Sequence, residues 1–100
     1  MGPSEEIRHA LSQWCTARIP EEERGRRQIG YTVQGAEVTI IDRRAPAHPR
    51  LDAGWTSTPL ARLHLDEGGR WTLYRPAGDG WTRTSDGDDP IALLEAQAPA

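Results

Sequence analysis

Residues 55–76 read WTSTPLARLHLDEGGRWTLYRP, and the way this stretch folds back on itself decides the architecture. A two-residue turn at Glu67-Gly68 would set Leu63 opposite Thr72 and His64 opposite Trp71, mixing apolar and polar side chains on each face. A three-residue turn at Glu67-Gly68-Gly69 instead sets Asp66 opposite Arg70, Leu65 opposite Trp71 and Leu63 opposite Leu73. Side chains alternate across a strand, so only this second register collects the large apolar residues on one face. The two glycines also accept the positive φ that such a turn with a bulge requires. His64 and Thr72 then fall on the opposite face, beside Arg62 and Tyr74.

The same test applies upstream. QIGYTVQGAEVTIID, residues 28–42, turns at Gly35-Ala36. With Gln34 opposite Glu37, Val33 faces Val38, Tyr31 faces Ile40 and Ile29 faces Asp42, while Thr32–Thr39 and Gly30–Ile41 share the other face. Both arms have period two and agree on one register. Continued to the open end, this register sets Arg27 opposite Arg44 and Gln28 opposite Arg43.

Outside the hairpins the signals become helical or irregular. In PSEEIRHALSQWCTARIP, Ser4 suits an N-cap, Glu5 and Glu6 suit the first turn, and Ile7, Leu11 and Trp14 recur three to four residues apart. Pro20 limits this helix, whose one-sided stripe calls for a sheet to pack on. PEEERGRRQ is a charged connector and APAHPRLDAG a loop. AGDG is a turn, GWTRT a short further strand and SDGDDP an acidic loop. Asp89-Pro90 supplies a cap and a first helical position for a short helix bearing Ile91, Leu93 and Leu94. The expected fold class is therefore α+β: an N-terminal helix on a small antiparallel sheet of two hairpins, four to five strands, and a short C-terminal helix. Residues 1–100 make one domain, with 1–3 and 97–100 expected to fray.

Composition narrows the chemistry. The chain is 36% apolar with four Trp, two Tyr and no Phe, enough for one modest core. Its net charge of −3 argues against a chain-wide nucleic-acid footprint. All basic side chains are Arg, so no lysine is present to form a Schiff base, act as a base or serve a phosphate loop. The single cysteine, Cys15, forms no internal disulfide and suits a reducing compartment. No apolar run is long enough to span a membrane and the N-terminus does not read as a secretory signal, so the expected location is cytoplasmic.

No catalytic constellation stands out. His9, His48 and His64 fall on different elements, and none forms a close His/Cys pair of zinc-ligand type. Cys15, beside Trp14, is expected to pack inertly against the sheet. Glu37 and Asp42 begin and end one strand but point to opposite faces. Asp86, Asp88 and Asp89 offer oxygen ligands without the calcium-loop pattern. Neither catalytic nor metal residues, nor a cofactor, are assigned.

Binding has better footing. Between Arg24 and Arg50 six arginines stand against only Glu37 and Asp42, a local excess of four positive charges. The hairpin register gathers Arg26, Arg27, Arg43 and Arg44 at one end of the ribbon. Opposed like charges cost stability unless compensated, and Glu21, Glu22 and Glu23 are the expected compensation. On the second hairpin Arg62, His64, Thr72 and Tyr74 line the face away from the helix, on the expectation that the N-terminal helix covers the other.

WTSTPLARL at 55–63 and GRWTLY at 69–74, with VTIIDRRAP at 38–46 and the helix ending WCTARIP, resemble the bacterial family described as domain of unknown function 3024. The resemblance covers roughly residues 7–75 and implies a small cytoplasmic protein of actinobacterial type, with no particular activity. The family's polar Asp-Arg-Asn segment and aromatic-His pair are replaced here by RPAGDGWTRTSDGDD, in which Trp81 and Arg83 offer partial substitutes.

The leading expectation is a small non-enzymatic binding or accessory domain that meets an anionic or protein partner through an arginine-rich sheet surface. Its candidate residues are Arg27, Arg43, Arg44, Arg62, His64, Tyr74 and Trp81. Nucleic acid is a weaker candidate partner, because no recognition helix or RNP-like aromatic pattern is present. The alternatives are a metal-dependent hydrolase or nuclease-like enzyme using Asp, Glu and His, and a structural homodimer.

Overall fold

The computed structural model describes residues 2–46 and 54–97; Met1, residues 47–53 with His48 and Arg50, and residues 98–100 lie outside the described part, and with them most of the loop expected at 45–54. The chain runs α1 (Glu5–Ala17), a 3-10 turn (Glu21–Glu23), β1 (Arg27–Gln34), β2 (Glu37–Arg44), β3 (Thr56–Leu65), β4 (Trp71–Ala77), β5 (Gly80–Gly87) and α2 (Pro90–Gln97). The five strands form one antiparallel sheet whose spatial order is the chain order. It is an α+β fold with both helices on one face.

Both hairpin registers are those the side-chain pattern predicts. β1 and β2 pair Arg27 with Arg44 through to Gln34 with Glu37. Gly35, first in the turn, takes φ +60, as two-residue turns with a leading glycine require. β3 and β4 pair Leu65 with Trp71 and Leu63 with Leu73. Their turn is held by Asp66, whose Oδ1 accepts from the backbone N–H of Gly68 at 2.8 Å and of Arg70 at 2.9 Å. Gly69 takes φ +82, a conformation that strains any residue with a Cβ.

The core lies between the sheet and the helices. Leu11, Val38, Ile40, Leu63 and Leu73 are essentially inaccessible, and Trp71 and Leu94 join them. α1 starts on its Ser4 cap, whose Oγ accepts from the Ile7 N–H at 3.3 Å. At its C-terminus Arg24 donates to the Thr16 carbonyl and, just past the helix, to that of Ile19. Tyr31 on β1 donates its hydroxyl to the Arg8 carbonyl and so ties helix to sheet.

Three expectations change. Cover of the second hairpin is not the work of α1: that helix lies over β1, whereas α2 lies over β4 and β5 and brings in Leu93 and Leu94. Asp89 starts α2 as expected, its carboxylate accepting from the Ile91 N–H at 3.0 Å. Secondly, Ser85-Asp86-Gly87 belongs to β5 rather than to an acidic loop, because Asp86 is held by Arg70 at 3.2 Å and Arg83 at 2.8 Å. Arg70 first, with Arg83, keeps the Asp86 carboxyl below the ordinary aspartate range despite some opposing desolvation. Thirdly, Asp42, not Glu21–Glu23, compensates the arginines at the open end of the β1–β2 ribbon. Its carboxylate is buried and lies 3.1 Å from both Arg27 Nε and Arg44 Nε.

Cys15 packs inward, 3% exposed, and burial pushes its thiol up to about 11. A disulfide-exchange reagent at pH 8 is therefore expected to label the native protein only as fast as it opens, and to label it at once in denaturing urea. Immediate stoichiometric labelling without denaturant would contradict the packing of α1.

Candidate functional site

The helix-free face of the sheet is where the outward positions of β2, β3 and β4 meet. Glu37 opens β2, His64 pairs with it from β3, and Arg62 stands two residues back on the same face. Across the next interval Arg62 pairs with Tyr74 and His64 with Thr72. Strand alternation alone brings these side chains together.

Trp81 joins them through a bulge. From Trp71–Gly87 to Leu73–Ser85 the β4–β5 register is regular, but the next pair is Tyr74–Arg83, leaving Thr84 as an extra residue. That one-residue shift reverses the facing of everything before it in β5. Without it Trp81 would stand opposite Ala77 and point toward the helices. With it Trp81 pairs with Pro76 and stands on the outer face. The Arg62 guanidinium lies over its ring, 4.4 Å from the centroid.

Glu37, Arg62, His64, Tyr74 and Trp81 together line a shallow concavity of about 350 Å³. Arg62 is among its lining residues, with its charge only loosely answered. The nearest carboxylate oxygen, Glu37 Oε2, is 3.8 Å from Arg62 Nε, too far for a hydrogen bond. That Nε is buried and donates to nothing. A guanidinium fixed by stacking, with donors unused, is preorganised for a planar acceptor such as a carboxylate.

The remaining candidates lie elsewhere. Arg43 is on the outer face but toward the other end of β2, with its guanidinium 5.7 Å from the Trp55 ring centroid. Arg27 and Arg44 point to the helix-covered face and share Asp42, Arg27 through both carboxylate oxygens at 3.1 and 3.3 Å. The seven arginine, histidine and aromatic candidates therefore divide three ways: a converging group of four (Arg62, His64, Tyr74 and Trp81), Arg27 and Arg44 in the Asp42 ion cluster, and Arg43 apart beside Trp55. Glu37 is the concavity residue not assigned to binding from sequence; its place on the Thr39 face follows from the first hairpin's register, but its pairing with His64 does not. Asp42 was also readable: two residues from Arg44, it shares that residue's face and stands diagonal to Arg27, which pairs with Arg44.

Among the described residues no group of three or more His, Cys, Asp or Glu side chains converges as metal ligands would. No helix among them is long and apolar enough to cross a membrane.

A helix-backed meander with an Arg–Trp–Tyr–His concavity on its open face places the chain among small α+β domains. It belongs to the family described as domain of unknown function (DUF3024), whose model matches residues 2–97. The match thus extends beyond the roughly 7–75 covered by the resemblance to take in β5 and α2 as well. No curated protein and no solved structure gives a match.

Proposed function

We propose that this chain is a non-enzymatic binding domain whose open sheet face docks an acidic segment of a protein partner, with the cytoplasm as its setting. The carrying observation is Arg62: stacked on Trp81, buried at Nε, and without a hydrogen-bond acceptor there. A partner carboxylate displacing the loose Glu37 contact would gain a charge-assisted bond already oriented for it. Tyr74 and His64 flank that position and add donors of adjustable direction. Arg, Trp and Tyr are also the residue types that dominate binding energy at protein interfaces, where their broad surfaces exclude water. A shallow concavity on a sheet suits a peptide chain better than an enclosed small molecule. The buried free Cys15 is compatible with a reducing interior.

The test is a titration of the labelled protein with an Asp/Glu-rich peptide and with its Asn/Gln counterpart, followed by two-dimensional NMR. The acidic peptide should shift the Trp81 indole and the amides of Arg62, His64 and Tyr74, and Arg62→Ala should weaken binding about ten-fold or more. Equal binding of the neutral peptide, or shifts confined to other faces, would refute the proposal. Tighter capture of an oligonucleotide at the same residues would reassign the partner.

A further inference from the structure

On the opposite face of the sheet, lined by residues of both helices and the strands, lies a second concavity of about 370 Å³. Its floor is apolar, formed by Ile29, Ile40, Leu60 and Ala61, and its walls include Trp14 from α1 and Leu94 from α2. Leu60 reaches this floor through another bulge. β2 and β3 pair Ile40 with Ala61 and then Ile41 with Pro59, so Leu60 is the unpaired residue and remains 39% exposed. A large aliphatic side chain left open at the floor of a groove is an unfilled contact surface.

Three arginines from three separate elements stand around this apolar floor: Arg18 after α1, Arg27 on β1 and Arg75 on β4. Arg27 is neutralised by Asp42. Among the described residues Arg18 and Arg75 make no ion pair. Arg18 is instead laid over the Trp14 ring, 4.5 Å from its centroid. The indole Nε1 of Trp14 is itself buried with no acceptor. An apolar trough, two guanidinium groups without an ion pair among the described residues and an orphaned N–H donor together describe the complement of one kind of molecule.

We propose that this groove binds an amphipathic carboxylate, its hydrocarbon body lying along Ile29 and Leu60 and its carboxylate held between Arg18 and Arg75. The proposal concerns the face of the sheet opposite the peptide site, and neither depends on the other. Charge complementarity selects the head group, because guanidinium groups bind carboxylates in a planar, paired geometry. The apolar floor selects the body, because burying hydrocarbon there removes both ligand and Leu60 from water. The volume suits a ligand of small-molecule size.

Decanoate, kept below its micellar concentration, is the probe, with decanol and acetate as controls for chain and charge. Decanoate should bind saturably and shift the Trp14 indole and the methyl signals of Leu60 and Ile40, leaving Trp81 unmoved. Decanol and acetate should each bind about ten-fold more weakly or worse, since each lacks one of the two contributions. Arg18→Gln with Arg75→Gln should bring decanoate down to the level of decanol, while thermal unfolding confirms that the variant is folded. Leu60→Ala provides an independent arm, expected to weaken decanoate and decanol together. Decanol equal to decanoate in the natural protein, unchanged affinity in the double variant, no saturable binding, or shifts centred on Trp81 would each overturn the proposal.

Discussion

Replacing Trp71 by alanine is expected to destabilise the fold by about 3–5 kcal/mol, the usual cost of removing a large core aromatic. Trp71 is 3% exposed and sits in the sheet between Leu65 and Gly87, its ring among the side chains that α2 covers. Small domains have only about 5–15 kcal/mol in hand, so this one residue carries a large share of the net stability. The informative comparison is Trp81→Ala. Trp81 is the same residue type before the same neighbour, threonine, one strand along, yet the β4–β5 bulge turns it to the open face. There it loses chiefly its stack with Arg62, worth about 1 kcal/mol or less. Urea unfolding of the two variants should therefore differ by several-fold in ΔΔG with similar m-values. Each kcal/mol corresponds to roughly 4–8 °C in the melting temperature of a domain this size. Equal losses at the two positions would mean that Trp81 faces inward and that the Arg62 concavity does not exist.

That comparison also marks how far the sequence alone can be followed. The register at Glu67-Gly68-Gly69 was readable because every consequence is local: glycines accept the turn, and one alignment alone segregates Leu63, Leu65, Trp71 and Leu73. The β1–β2 ribbon was readable for the same reason. A bulge obeys no such rule. Thr84 and Leu60 are ordinary strand residues, and nothing in RTS or PLA announces that one position will be skipped. Since a skipped residue inverts all facing beyond it, both concavities depend on events the side-chain pattern does not encode. The position of α2 is of the same kind. Its few apolar residues give weak periodicity, and its packing over β4 and β5 follows from the length of β5, which Arg70 and Arg83 extend through Asp86. Arg62, His64 and Tyr74 could be assigned to one face from the sequence; their meeting with Trp81 could not.

The Asp42 cluster should respond to acid in a defined direction. Burial alone would raise this carboxyl, but hydrogen bonds and charge from Arg27 and Arg44 outweigh it and hold the group below the ordinary aspartate range. In the window between its native and unfolded pKa the unfolded chain binds more protons, so stability rises with pH there. The contribution is complete above the unfolded value, near pH 4, and is lost as pH falls through the lower native one. Asp42→Asn is therefore expected to cost about 1–3 kcal/mol at pH 7, the scale of hydrogen bonds to a charged group. The larger penalty of a broken, fully buried pair does not apply, because the Arg27 and Arg44 side chains are 42% and 62% exposed and can turn to water. Chemical denaturation of both proteins from pH 7 to pH 2.5 isolates the effect, since carboxylates such as Asp86 titrate in both and cancel from the difference. The gap should be constant down to about pH 5 and close progressively below pH 4. A gap that persists undiminished into strong acid would show that Asp42 acts through packing rather than charge. The same cluster also decides how many cations are available around the helix-side groove. By engaging Arg27, Asp42 leaves Arg18 and Arg75 as the groove cations without an ion pair among the described residues, so the ion cluster shapes the electrostatics of that groove as well as closing the open end of the first hairpin.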